Sequence, residues 1–306
     1  MNTSSSTDVQ RSPFSIDLHC HSTASDGALT PTALVQRAHE RGIRILALTD
    51  HDTLKGIGEA RQACDALGMH LVNGIELSCT WAATTIHVLG YDFALDSIPL
   101  NALIRRLQDG RWQRAEKISQ RLAAKGMPGC LEGARAIQAG LGEQEQPPAR
   151  PHFAAYMVQA GYARDHAEAF DKWLGAGKLG DVKQFWPEFA EVMQVLGEAQ
   201  AFTSLAHPYH YSFTRSKRRR LVADFAERGG HALEVSNGPQ PPEQVGTLAV
   251  MAREFGLKVT AGSDFHMPRN WSELGLYRAP ASDLTPLWHS FAVPDSLREP
   301  EIGVLP

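Results

Sequence analysis

Apolar residues along the chain follow two periodicities, and their alternation predicts the elements. Short apolar runs over 43–48, 70–77, 85–91, 202–206, 232–235 and 258–261 read as buried strands, after an opening strand that begins at Ile16. Helical spacing fills most of the gaps. Thr30 is a natural N-cap with Pro31 at the first helical position, Leu34, Val35 and Ala38 share a face, and Gly42 can close that helix. Further helices are expected over 56–67, 217–228 and 243–255. About seven strands, most followed by a helix, argue for a parallel sheet with helical crossovers. Such a sheet is either a barrel or, as the alternative, an open doubly wound sheet.

From about residue 100 to 199 the strand signal vanishes. Leu103, Ile104, Leu107, Trp112, Ile118 and Leu122 suggest one long helix ended by Gly126, and shorter helices start at Pro151, near Asp165 and near Pro187. The expected organisation is a polar tail over 1–12, a barrel built from 13–98 and 200–306, and a helical cap inserted over 99–199. The tail has no apolar core of the kind a signal peptide carries.

Composition narrows the class without naming it. The 306 residues are 43% hydrophobic and 21% charged, with a net charge of -4, as in an ordinary globular enzyme. That charge argues against a nucleic-acid coat protein, and the run Lys217-Arg218-Arg219-Arg220 reads as a solvated helix face. Cys20, Cys64, Cys79 and Cys130 are scattered, with no Cys-x-x-Cys pair, and read as reduced thiols in a cytoplasmic protein. No apolar run approaches the roughly 20 residues that span a bilayer.

The chemistry lies in where polar residues fall. His19 and His21 alternate along an extended segment, so both imidazoles point one way and Cys20 points the other. His51, Glu76, His207, Asp264 and His266 stand at or just past strand ends, Asp26 follows in a loop, and His87 lies in mid-strand. Imidazole and carboxylate donors without thiolate suit Zn²⁺, Mn²⁺ or Fe²⁺. Nine donors exceed what one catalytic metal uses, which points to a cluster of two or three. His39, His70, His166, His231 and His289 stand alone and read as ordinary histidines. Asp17, Asp50 and Asp52 adjoin donors and read as carboxylates that orient imidazoles.

In order, D-L-H-C-H-S, T-D-H-D, the Glu after V-N-G-I, H-V-L-G-Y, A-H-P and G-S-D-F-H resemble the motifs of the PHP (polymerase and histidinol phosphatase) metallophosphoesterases, over about residues 16 to 276. The resemblance implies a distorted (β/α)7 barrel. It also implies that His19, His21, Glu76 and Asp264 hold one metal, that Glu76 bridges to a second with His87 and His207, and that Asp26, His51 and His266 hold a third. Two or three divalent ions per chain are expected, Mn²⁺ first, with Fe²⁺ or Zn²⁺ as alternatives.

R-P-H-F-A at Arg150, the W-L-G-A-G-K stretch ending at Lys178 and E-V-S-N-G from Glu234 resemble the subgroup acting on nucleotide phosphates. That makes Arg150, His152 and Lys178 candidates for binding substrate phosphate. Two departures are Leu179-Gly180-Asp181-Val182, where Pro-Ala-Tyr-Val is expected, and His210, where the subgroup usually has Arg.

The implied activity is removal of the 3′-phosphate from nucleoside 3′,5′-bisphosphates, by attack of a hydroxide bridging the metals, with His210 or His152 protonating the leaving oxygen. The alternatives are a 5′→3′ exoribonuclease on short 5′-phosphorylated RNA and, in a different class, a non-catalytic metal-dependent nucleotide-binding module. The expected partner is a small nucleotide or short oligoribonucleotide, with no membrane and no stably bound DNA. Oligomeric state has no signature in the sequence.

Overall fold

A computed structural model describes residues 15–140, 146–182 and 185–294, so the tail expected over 1–12 lies outside the described residues. Seven strands form one sheet in sequence order: β1 (Ile16–Asp17), β2 (Ile45–Leu48), β3 (His70–Trp81), β4 (Thr84–Tyr91), β5 (Phe202–Leu205), β6 (Ala232–Asn237) and β7 (Lys258–Gly262). The sheet curls until its edges meet. The Asp264 N–H donates to the His19 carbonyl at 2.8 Å, and the His21 N–H donates to the Phe265 carbonyl at 2.8 Å. These bonds, just past the ends of β1 and β7, nearly close the barrel. At this seam a Cβ on Gly262 would stand 2.5 Å from that of His19, so the approach needs glycine.

The parallel expectation holds for β1–β2, β2–β3, β5–β6 and β6–β7. It fails at β4, which runs antiparallel to both neighbours. No crossover precedes that strand: Trp81 pairs with Thr84, and only Ala82 (φ 45°) and Ala83 (φ 58°) turn the chain. Two left-handed residues match the twist of a two-residue hairpin, but alanines carry none of the usual sequence signal for one. β3 also continues past Leu77, so Glu76 lies inside a strand and not at its end.

Helices α1 (Pro31–Glu40) and α2 (Ile57–Ala66) follow β1 and β2. The Thr30 hydroxyl accepts the Ala33 N–H at 3.2 Å, and Leu34, Val35 and Ala38 are fully buried. Burying a Leu or Val side chain favours folding by roughly 1.5–3 kcal/mol, enough to seat a short helix on the barrel.

Between β4 and β5 lie α3 (Ile98–Ala123), α4 (Cys130–Ala139), α5 (Arg150–Gln159), α6 (His166–Ala169), a π-helical turn (Phe170–Leu174) and α7 (Phe189–Glu198). Leu100, Leu103 and Leu107 of α3 pack into the barrel's largest apolar cluster with Phe189 and Leu196 of α7. Farther along α3, Ile118 and Leu122 join a separate cluster with Phe153, Met157 and Leu174. One rigid helix therefore ties the second cluster to the barrel. Helices α8 (Arg215–Glu227) and α9 (Pro242–Glu254) follow β5 and β6. No helix among the described residues is long and apolar enough to cross a membrane.

Candidate metal centre

The barrel rim gathers donors from five strands or strand ends around one carboxylate on a sixth, Glu76 of β3. His19 and His21 are fully buried side by side, ring centroids 5.2 Å apart, while the Cys20 thiol turns away to the Ala47 carbonyl at 3.3 Å. His207 (φ 27°) and Asp264 (φ 51°) lie just past their strands in the left-handed region, as does Asp52 (φ 54°) beside His51. Such backbone costs about 1–3 kcal/mol per residue and persists where the surroundings hold it. Here each amide is held by another residue of the site. His207 N–H donates to Glu234 at 2.6 Å, Asp264 N–H to the His19 carbonyl at 2.8 Å, and Asp52 N–H to the Glu76 carbonyl at 3.0 Å.

Glu76 occupies the middle. One carboxylate oxygen, Oε1, stands 2.7 Å from His207 Nε2 and 2.9 Å from His87 Nδ1. The other, Oε2, stands 3.0 Å from His51 Nδ1 and 3.3 Å from Nε2 of both His19 and His21. Asp264 Oδ1 lies 3.4 Å from His19 Nε2 and 3.3 Å from His21 Nε2, and Asp26 Oδ1 lies 3.4 Å from His266 Nε2. All nine donors named from the sequence therefore come together.

The residues fit divalent metal. Among the described residues, buried His19 Nε2, His21 Nδ1 and Nε2, His51 Nδ1, His207 Nδ1 and Glu76 Oε2 make no hydrogen bond of acceptable geometry, close though some of them stand to one another. That arrangement is costly unless the atoms serve something else. Donor atoms gather within 4.8 Å of one another in four sets: His21, Asp26, His51 and His266; His19, His207 and Asp264; His19, His21 and Glu76; His51, Glu76 and His87. His19, His21, His51 and Glu76 each belong to two sets, so the expected division among three ions is less sharp than the motif order implied.

Electrostatics agree. Burial would lift the Glu76 carboxyl, but the His51, His87 and His19 imidazoles outweigh it and hold it well below its ordinary range. Burial, with His266 and His51, pushes His21 down to about 3, leaving a neutral imidazole with a free lone pair.

The carboxylate that meets an imidazole from behind is Glu234, with Oε1 2.9 Å from His19 Nδ1. The three acids expected in that role do other work. Asp17 accepts the N–H groups of Ser263 (2.9 Å) and Gly275 (2.8 Å), pinning the seam. Asp50 accepts both hydroxyls of Ser22 and Ser25 at 2.6 Å, shaping the loop to Asp26. Asp52 accepts the Ser78 N–H at 2.7 Å and pairs with Arg111 of α3 at 2.6 Å, tying that helix to the rim.

A cavity of about 470 Å³ opens over the donors, lined by Glu76, His87 and Asp264 and also by Arg150, His210 and Lys217. Arg150 starts α5, its guanidinium 3.2 Å from the Leu174 carbonyl. His152 is buried, with Nδ1 accepting the Ala149 N–H at 2.9 Å; that bond caps the helix carrying Arg150. Lys178 is exposed in the turn after the π-helix and does not line the cavity, whereas Asp181 does. His210 stacks on His207, centroids 4.7 Å apart, with Nδ1 3.7 Å from Asp264 Oδ2.

Two further clefts reach Asp264, one of about 350 Å³ past His166 and Phe170 and one of about 300 Å³ past Tyr209 and Asn237, with Trp271 on the wall of both. His166, read as an ordinary histidine, is thus part of the surroundings. The four cysteines are free and buried, and burial raises each thiol above its usual pKa, so none is a ready nucleophile.

The fold and the rim of imidazoles define a metallophosphoesterase barrel, and comparison bears this out. The PHP domain model matches residues 17–175. A 5′-3′ exoribonuclease from Haemophilus influenzae is 38% identical over 90% of this chain and 98% of its own. A 3′,5′-nucleoside bisphosphate phosphatase from Chromobacterium violaceum is 36% identical over 83% of this chain and 87% of its own. Among solved structures, an amidohydrolase from Chromobacterium violaceum with bound sulfate and no metal superposes with a TM-score of 0.83 at 34% identity, covering 90% of this chain and 95% of the other. A candidate metal-dependent phosphoesterase from Bifidobacterium adolescentis gives 0.77 at 26% identity, covering 92% and 96%. The chain belongs to the PHP domain family, and it is a hydrolase of the metal-dependent phosphoesterase class.

Proposed function

We propose that this enzyme removes the 3′-phosphate from nucleoside 3′,5′-bisphosphates in the cytoplasm, with two or three divalent ions, Mn²⁺ first among them. The reading rests on one observation: the donors around Glu76 and the Arg150 guanidinium line a single nucleotide-sized cavity. His19, His21, Asp26, His51, Glu76, His87, His207, Asp264 and His266 would hold the ions. Bound there, divalent metal supplies Lewis-acid neutralisation of the phosphoryl oxygens and lowers the pKa of water. Arg150 presents a planar fork suited to phosphate, and its half-buried place strengthens that grip. His210 is assigned to hand a proton to the leaving oxygen, since the Nδ1 of His152 is engaged by Ala149. Burial and then His207 push the His210 pKa down to about 4, so it serves as a neutral imidazole that relays a proton from solvent. The helical segment over 99–199 is assigned as a cap that keeps bulk water from the phosphate.

A second reading, 5′→3′ exoribonuclease on short RNA, is favoured by the two additional clefts that meet at Asp264, which offer an oligomer somewhere to lie. The deciding assay, with Mn²⁺, compares phosphate release from adenosine 3′,5′-bisphosphate with mononucleotide release from a 5′-phosphorylated oligoribonucleotide. Turnover of the bisphosphate supports the first reading. Processing of the oligomer with no turnover of the bisphosphate overturns it.

A further inference from the structure

Helix α8 opens with Arg215, Lys217, Arg218, Arg219 and Arg220 and has no acid in its first turn. Cations at the positive end of a helix dipole oppose helix stability, so a use elsewhere is needed to account for them. Three of the arginines have local partners. Arg218 is buried, with Nε donating to the Pro208 carbonyl at 3.0 Å; Arg219 pairs with Glu254; Arg220 stacks over Trp81 at 5.3 Å.

Lys217 is different because it lines the cavity over the donors. Its ammonium lies 4.2 Å from the Phe213 ring centroid and donates to the Thr84 hydroxyl at 3.3 Å, and neither partner neutralises it. An ammonium has three donors and one is used among the described residues, which leaves two for a ligand. The aromatic face also fixes its position at little entropic cost.

Thr84 begins β4, and His87, which touches Glu76, is three residues on. The ammonium and the metal donors thus stand at different points on the wall of one cavity of about 470 Å³, which has room for more than one phosphate group. The cation and the metal donors therefore suit two anions of one molecule.

On the reading that the substrate is a nucleotide phosphate, we propose that Lys217 grips a second phosphate of the substrate, one linkage away from the phosphoryl group that reacts at Glu76. This makes Lys217 a specificity residue, selecting bisphosphates, or an oligonucleotide's neighbouring phosphodiester, over compounds with one phosphate.

The test compares kcat/KM for adenosine 3′,5′-bisphosphate with kcat/KM for p-nitrophenyl phosphate, in the Mn²⁺-loaded wild type, Lys217→Met and Lys217→Arg. The ratio should fall about tenfold or more in Lys217→Met, mainly through KM for the bisphosphate, and recover most of that loss in Lys217→Arg. If the wild type prefers a 5′-phosphorylated oligoribonucleotide, the ratio is taken with that substrate instead. Nucleotide turnover with an unchanged ratio, or an equal fall on both substrates, overturns the role of Lys217 alone. A wild type that hydrolyses neither nucleotide substrate overturns the functional reading, and this proposal with it.

Discussion

Glu234 Oε1 stands 2.9 Å from His19 Nδ1, and its second oxygen accepts the His207 N–H at 2.6 Å. One fully buried acid thus fixes the ring of the first donor and the backbone of a donor from the far side of Glu76. With Nδ1–H directed at Glu234, His19 presents the Nε2 lone pair inward. Replacing Glu234 with Gln keeps the shape but offers an amide that can also donate, so the His19 tautomer is no longer enforced. Metal affinity or activity should fall by about 10–100-fold with the fold intact by circular dichroism. Unchanged metal titration would show that Glu234 only fills space.

Metal uptake should release protons. Burial pulls the His266 imidazole down, but Asp26 and Asp264 outweigh it and lift its pKa to about 10. Near neutral pH the metal-free site therefore holds a proton that a coordinating imidazole must shed. Apparent Mn²⁺ affinity should accordingly rise with pH up to that value. Calorimetric titration in two buffers of different ionisation heat should give different observed enthalpies; identical enthalpies would contradict this protonation state.

The hairpin that reverses β4 depends on two exposed alanines in left-handed backbone, Ala82 and Ala83. Ala82→Asn with Ala83→Gly supplies residues that favour that conformation and should stabilise the enzyme by about 1 kcal/mol in urea unfolding. A loss of stability would mean the turn has another geometry.

His210→Asn should lower kcat by about 100-fold or more while leaving metal content at the wild-type level, as expected for a proton-delivering group outside the donor set. Loss of metal along with activity would instead place His210 among the residues that hold the ions.

The sequence made most of the donors legible because they lie at the ends of short apolar runs and because His19 and His21 share the period of a strand; Asp26, in a loop, stood out only through its place in the motif order. The orienting acid was not legible. Glu234 is 215 residues from His19 and stood out only as the start of a subgroup motif, whereas Asp17, Asp50 and Asp52 drew notice by adjoining donors in the chain. Their carboxylates turn to backbone amides and hydroxyls, which adjacency alone does not reveal. The reversal at β4 went unseen because Ala-Ala carries no turn chemistry. The basic run on α8 reads as one solvated face by charge, yet burial separates Arg218, which clamps the 208–213 loop, from Lys217, which borders the cavity.

The central claim is a polynuclear centre organised by Glu76, whose two oxygens meet imidazoles on opposite sides. It is tested most directly by counting metals per chain, by elemental analysis of Mn²⁺-loaded protein, in the wild type and in Glu76→Gln, alongside phosphate release. The account predicts two or three ions in the wild type, loss of at least one in Glu76→Gln, and a fall in activity of about a thousandfold or more. A wild type with a single ion, or a Glu76→Gln protein that keeps its full complement and its activity, would contradict it.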